Sequence, residues 1–494
     1  MAIAADTTPT EAVAASGIDD RPLSREDRTL IGLLLISTFV VIFNETVMSL
    51  ALPRLMSDLN VSAATAQWLT TGFLLTMAVV IPATGFIMER FSVRQVFVAA
   101  MSLFSTGTLI AAVAPGFPVL LVGRVVQATG TGMMLPLLIT TAMSLVAPGA
   151  RGRLMGMISI VISVAPAIGP TVSGLVLSRL SWRWLFFIVL PIAVLSLALG
   201  VWKVRNVTTP RHAHLDVLSL VLSAAGFGGL IYGLSSLGES SGHASVAPWI
   251  PVTIGLTALG LFGWRQYTLQ SGRGPLLDLR VFGRRDFTIS ALATMAGFIS
   301  LFGGFILLPI YLQTVRDIST LVAGLLVLPG GIAMGALSPM VGRLYDRFGP
   351  RPVVIPGTIV LSAGLWLLAT VGPQTSIALV VVLHVMLMSG LALIVTPLMT
   401  SALGSLPTDL YGHGSAVLST LQQLAAAAGT ALFVTVLSRT AASEIAGGAD
   451  EAAATVDGVQ AAFVAGGVIS LVAVVAALFV RRTALLPGDA APVH

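Results

Sequence analysis

The sequence has no cysteine among its 494 residues, which excludes disulfides, thiol nucleophiles, Fe–S clusters and cysteine zinc sites and leaves the redox compartment unreadable. It has a single lysine, Lys203, in Trp202-Lys203-Val204. A phosphate-cradling loop needs a Gly-rich turn that ends in lysine, so this chain does not itself hydrolyse ATP. Charge of either sign is scarce. A soluble chain of this length would carry on the order of 120 charged residues, whereas 21 acids and 26 bases are present here. Hydrophobic residues make up 56% and the mean hydropathy is +0.96, so the apolar matter exceeds what globular cores need and must face lipid. The sequence pI is about 10.2, yet the bases are too scattered to form a stripe for nucleic acid. Residues 1–28 lack a basic leader and carry Asp6, Glu11, Asp19, Asp20, Glu26 and Asp27, which reads as a polar cytoplasmic tail with nothing cleaved.

Apolar runs of about 20 residues begin near Thr29, Ala66, Arg94, Phe117, Arg153, Trp184, Leu215, Pro248, Phe287, Leu321, Pro352, Ser376, Ser415 and Gly458. The expected fold is therefore all-α, with fourteen transmembrane helices. Pro82, Pro136, Pro170, Pro309, Pro329 and Pro397 fall inside these runs, where neighbouring helices can satisfy the freed backbone. With a cytoplasmic N-terminus, the tails and even-numbered loops hold 20 of the bases and the opposite face holds five, leaving Arg124 within a span. That split obeys the positive-inside rule and places both termini in the cytoplasm of a cell (inner) membrane.

One repeat is visible. Gly85-Phe-Ile-Met-Glu89-Arg90-Phe-Ser-Val-Arg94 after the second span recurs as Gly342-Arg-Leu-Tyr-Asp346-Arg347-Phe-Gly-Pro-Arg351 after the tenth. The expected organisation is two six-helix bundles, residues 29–203 and 286–480, related as a parallel pseudo-twofold repeat. Residues 204–285 form an inserted helix pair with flanking loops, and 481–494 a second cytoplasmic tail. Parallel repeats put a substrate site between the bundles near the membrane midplane.

With these motifs in place, the chain resembles the major facilitator superfamily, in particular its fourteen-span drug:proton antiporter branch of the EmrB and LmrB type. The repeated loop is similar to the superfamily's inter-span motif. Arg124-Val-Val-Gln127-Ala-Thr-Gly130 resembles the R-x-x-Q-G-x-G pattern, departing at Ala128. Ala165-Pro-Ala-Ile-Gly169-Pro170-Thr-Val-Ser-Gly174 resembles the antiporter pattern G-x-x-x-G-P-x-x-G-G, departing at Ala165 and Ser173. Asn44-Glu45-Thr46 through Ala51-Leu52-Pro53 is similar to D-x-T-x-x-x-x-A-L-P, with the acid one residue later, a turn of about 100° on a helix. The resemblance implies an exporter and not an enzyme: a proton-coupled antiporter of amphipathic, often cationic compounds, driven by the proton gradient without a cofactor.

Glu45 is the only acid well inside a span, and a carboxylate in hydrocarbon is a functional-site hypothesis by default. Burial favours the protonated carboxyl and a nearby cation the ionised one, so a site alternately dry and cation-occupied can carry a proton. Glu45 and Arg124 each lie seven residues from the outer end of their span, roughly 10 Å deep, and could meet. The alternatives are a Glu45 solvated at the outer interface and an Arg124 that only braces spans 1 and 5. His384 in span 12 could relay protons or merely pack. Phe43, Asn44, Met48, Gln127, Met134, Phe305, Met386, Gln422 and Gln423 are the candidate substrate pocket, since Met and aromatic walls adapt to many shapes. Gly85, Glu89, Arg90, Arg94, Gly169, Pro170, Gly174, Gly342, Asp346, Arg347 and Arg351 are the candidate conformational motifs. In these, Glu89 is expected to meet basic groups at a seam between the bundles, and Gly169-Pro170 to pack against span 8 or 10. His212 and His214 lack companion ligands, and no metal site is expected. The expected partners are small drug-like molecules, protons and membrane lipid, with the chain a monomer. An endogenous metabolite or lipid as cargo remains open. A membrane-embedded enzyme rests only on Gly238-Glu-Ser240-Ser-Gly242, which matches G-x-S-x-G in an outer loop and not on a strand-to-helix elbow. A channel would need rings of polar residues along a pore.

Overall fold

A computed structural model describes residues 24–48, 51–207, 216–237, 247–270 and 274–481. His212, His214 and the Gly238–Gly242 motif lie outside the described residues, as do the side chains of Phe305 and Pro170.

The described chain is helical throughout: α1 (Arg25–Val47), α2 (Leu52–Leu59), α3 (Ala63–Arg90), α4 (Val93–Ala112), α5 (Phe117–Leu145), α6 (Arg151–Leu177), α7 (Trp184–Lys203), α8 (Val217–Leu237), α9 (Trp249–Leu269), α10 (Arg285–Ile310), α11 (Thr320–Phe348), α12 (Arg351–Leu368), α13 (Ile377–Gly404), α14 (Tyr411–Ala446) and α15 (Glu451–Phe479). Among the described residues, thirteen helices are long and apolar enough to cross a membrane. The remaining long helix, α9, has the length but carries Arg265 and Gln266 near its end. The amphipathic α2, eight residues long, is too short to register as a span and was not foreseen.

Local chemistry sets the ends. Ser24, Ser62, Ser92, Ser376 and Asp450 each accept a backbone N–H of the first turn that follows, satisfying donors that a helix start leaves open. Ser92 and Gln95 complete a reciprocal capping box. Helices α3, α5, α10, α11 and α13 run on through their internal prolines, the bundle supplying what the lost N–H would have held.

Packing groups the helices. Among the first six long helices, α1 lies against α5, α6 and α7, α3 against α5, and α4 against α5 and α7. The same pairings return in the last six: α10 against α13, α14 and α15, α11 against α13, and α12 against α13 and α15. The two groups meet along a seam of α6 on α11 and α3 on α14. The α8–α9 pair sits beside this seam, with α8 touching both α3 and α14. We call the end of the bundle where α1 begins the terminal face.

Glycines let backbones close up. A Cβ on Gly130 would meet the Ala100 carbonyl of α4 and one on Gly156 the Ser338 carbonyl of α11 at 2.5 Å. The pair Gly331 and Gly335, spaced as in helix-dimer motifs, is spent within the chain, against Ala167 and Val164 of α6.

Candidate functional site

Two sites take shape, one buried among α1, α3, α4 and α5, the other at the terminal end of the seam.

The first is built on Arg124 of α5, which is 1% exposed. Its Nη1 donates to Gln127 Oε1 at 2.7 Å and, at the limit of a hydrogen bond, to Asn44 Oδ1 of α1 at 3.5 Å. Its Nε points to the Leu69 carbonyl of α3 at 3.5 Å. The guanidinium lies over the Phe73 ring, 3.9 Å from the centroid, a cation–π contact strengthened by desolvation. Gln127 Nε2 donates onward to Thr108 Oγ1 of α4 at 2.7 Å, and Thr108 donates to the Phe104 carbonyl at 2.6 Å. A cation this deep requires such a cage, because stranding it would cost several kcal/mol. The bracing is thus real, but it comes from spans 1, 2 and 4, not from carbonyls of spans 1 and 5.

Glu45 is half-buried beside Asn44 on α1. It is a charge neighbour of Arg124 and not one of its contact partners. Thr46 faces away to α6, where Gly169 receives it; a Cβ at Gly169 would collide with the Thr46 hydroxyl. Gly169 therefore packs against α1 and not against span 8 or 10 as expected; span 10, α11, is met instead at Gly156 and Ala167. The reason is rotational, since successive residues of a helix point about 100° apart. A Cβ on Gly174, near the far end of α6, would lie 3.5 Å from Leu321 of α11, an ordinary contact.

His384 is fully buried on α13, its ring pressed on Gly330 of α11, and shares no hydrogen bond with the Arg124 cage. Of the candidate pocket residues, Met48 and Met134 are enclosed in apolar cores, and Asn44 and Gln127 belong to the Arg124 cage. Phe43 stacks on Phe39 with centroids 6.1 Å apart, and Met386 is half-buried. Gln422 reaches Met399 Sδ, 3.7 Å away on α13. Gln423 reaches across the seam to Met77 Sδ of α3 at 3.8 Å.

The second site gathers the repeated loop motif. Gly342 of α11 lies on the Gly152 backbone at the start of α6, where no Cβ fits. One turn on, Asp346 accepts the backbone N–H groups of Gly152 at 2.8 Å and Arg153 at 2.9 Å, a carboxylate set on a helix N-terminus. The first copy works on α14. Gly85 lies under the His413 ring, and Glu89 Oε1 is 3.1 Å from His413 Nε2. The last arginine of each copy ties helix ends together: Arg94 donates to the Val201 carbonyl of α7 at 2.6 Å, and Arg351 to the Val480 carbonyl after α15 at 2.7 Å. Arg347 lies over Phe348 with 5.1 Å to the ring centroid. Thr140 meets Ser415 and Ser159 meets Thr396 across the same seam, each at 2.7 Å.

Sequence reasoning expected a basic partner for Glu89 but did not find His413, whose setting, Tyr411-Gly412-His413-Gly414, carries no charge to mark it. For Asp346, the matching acid of the second copy, backbone N–H groups take the place of a basic side chain.

The sequence profile of the Major Facilitator Superfamily matches residues 34–430. The chain belongs to that superfamily. As a member it is a transporter of small molecules and not an enzyme. It is 42% identical over 457 residues to the uncharacterized MFS-type transporter YcnB of Bacillus subtilis, covering 92% of this chain and 95% of that one. Over 458 residues it is 41% identical to the lincomycin resistance protein LmrB of Listeria monocytogenes, covering 92% and 96%. A multidrug resistance protein B homolog of Mycobacterium tuberculosis is 29% identical over 422 residues, covering 84% of this chain and 78% of that one. Among solved structures, the human organic anion transporter MFSD10 superposes with a TM-score of 0.66 at 15% identity, over 91% of this chain and 99% of that one. That likeness speaks to the fold alone.

Proposed function

We propose that this protein is a fourteen-span, proton-coupled antiporter that exports amphipathic, often cationic compounds by alternating access, with its terminal face in the cytoplasm. The observation that carries the reading is a half-buried carboxylate, Glu45, two residues from the end of α1, set as a charge neighbour and not a contact partner of the caged cation Arg124. A proton carrier has to change charge during the cycle, and a carboxylate that is half-buried rather than locked into an ion pair is free to do so. The names of the relatives LmrB and multidrug resistance protein B point to drugs as the cargo. The recurring helix pairings and the two copies of the loop motif support two six-helix bundles, residues 29–203 and 286–480, that rock about the seam. The 20-to-5 distribution of bases supports cytoplasmic termini.

The test is reconstitution into vesicles loaded with a fluorescent lipophilic cation such as ethidium. Export against its own gradient when a pH gradient is imposed, abolished by a protonophore, is the expected result. Equal dye movement with and without the pH gradient would remove proton coupling.

A further inference from the structure

The two copies of the loop motif differ at their acids. Asp346 is held by backbone N–H groups alone, whereas Glu89 is met by an imidazole. His413 is 2% exposed. Its Nδ1 accepts the backbone N–H of Asp278 at 3.3 Å, so the single proton of the neutral ring sits on Nε2, facing Glu89. Asp278 belongs to the segment between α9 and α10, wedged into the bundle by its buried neighbours Leu277 and Val281. The preceding N–H, that of Leu277, donates to Gln266 Oε1 of α9 at 3.2 Å, and Gln266 Nε2 donates to Ser219 of α8 at 2.7 Å. A line of hydrogen bonds thus runs from the inserted helix pair through its linker to the seam.

We infer that His413 is a positioning residue that couples the inserted helix pair to the seam and exchanges one tie for the other when it takes up a proton. The inference rests on the alternating-access reading above. The second proton enters at Nδ1, the atom that accepts from Asp278, so the tie to the linker is lost. The Nε2 bond to Glu89, charge-assisted by the carboxylate from the start, becomes an ion pair with both partners charged. Acidification at the terminal face therefore tightens the seam and gives up the backbone tie to the linker.

The charged groups around the ring are few. Helix α3 supplies Glu89, and the linker supplies Asp278 with its ion-pair partner Arg280. Asp409 precedes α14, and Arg151 at the start of α6 lies over the neighbouring Tyr411 ring. Helix α10 begins with Arg285 and Asp286, and Asp216 ahead of α8 is already paired with Arg265. Helices α5 and α13 carry no ionisable group at this end.

The absence of cysteine makes the test clean. Ser144 at the end of α5 and Thr408 just before α14 are exposed and lie on opposite sides of the seam. Ser144→Cys and Thr408→Cys take two spin labels in the full chain in nanodiscs, and the label distance is read by electron–electron resonance. The short-distance, closed population is expected to grow as pH falls from about 8 to about 5.5, the range in which a histidine side chain can change charge. His413→Gln keeps a donor for Glu89 but gains no proton, so its distances should not respond to pH. Glu89→Gln removes the anion that pairs with the charged ring across the seam, so the gain of the closed population on acidification should shrink. A pH response surviving in His413→Gln, or none in the histidine-bearing protein, overturns the inference. If His413→Gln does not fold, Glu89→Gln decides alone, and a pH response there as large as in the parent overturns the inference. The readout is conformation and not transport, so it stands or falls separately from whether Glu45 carries the coupled proton.

Discussion

Glu45 on α1 and Arg124 on α5 sense each other's charge without touching. All the close contacts of the guanidinium go elsewhere, to Gln127, Asn44, the Leu69 carbonyl and the Phe73 ring. The cation is thereby held in place whatever the protonation of Glu45. In the proposed antiport cycle, an arginine engaged this way would serve as a fixed charge and Glu45 as the part that changes.

Arg124→Ala strands the Gln127 oxygen inside the protein, and each buried polar group left unpaired costs about 1–3 kcal/mol. The unfolding temperature in detergent should fall and transport should be lost. Arg124→Lys keeps the charge without the planar fork, so it should recover stability only in part. An Ala variant as stable as the parent would show that the cage contributes nothing.

Gly342 and Gly152 form the tightest crossing between the two groups of helices, and a Cβ on Gly342 would lie 3.0 Å from the Arg153 Cα as well as against Gly152. Gly342→Val should force the terminal end of the seam apart. A cysteine introduced at Thr140, now facing Ser415, should then react faster with a water-soluble thiol reagent. Unchanged reactivity would mean that the crossing does not hold the seam shut.

Asp346→Ala removes an anion from the α6 N-terminus, an interaction worth about 0.3–1 kcal/mol, rising to about 2 where partly buried. The folded protein should still insert, but turnover should drop as the closed state loses population. Substitution by Asn should be milder, because its carbonyl can still accept one N–H.

Asp216 lies outside the spans, and its carboxyl is lowered to about 2, first by the side-chain hydrogen bond to Arg265. Arg265 reaches it through Nε at 2.6 Å and Nη2 at 2.8 Å. A carboxyl lowered on folding stabilises above its ordinary value, and that contribution is lost as pH falls through the folded value. Asp216→Asn should therefore lower the unfolding temperature at neutral pH. The gap to the parent should stay full above about pH 4 and close toward about 2. A gap independent of pH would mean that charge plays no part.

Much of this was readable from composition and spacing, because lipid enforces long apolar helices and taxes every buried charge. The expected span starts lie close to the observed ones. The largest offsets are at α15, which begins seven residues before Gly458, and at α1 and α14, which begin four residues before Thr29 and Ser415, since polar turns extend these helices past the apolar stretch. Arg124 was legible because a lone cation in a span demands a cage. Its partners Leu69 and Phe73, and Thr108 behind Gln127, were not, since they come from other helices and carry no mark of their own. His413 stayed hidden for the same reason, and Gly169 was assigned to the wrong neighbour because sequence does not fix how a helix is rotated.

The central claim, that Glu45 carries the coupled proton, is tested most directly by Glu45→Gln in the vesicle assay. Gln keeps the shape and hydrogen bonding of the protonated carboxyl but has no proton to release. The account predicts that this variant still binds the dye but no longer exports it uphill when a pH gradient is imposed. Uphill export by Glu45→Gln at the parental rate would contradict the account and move the search for the carrier to His384.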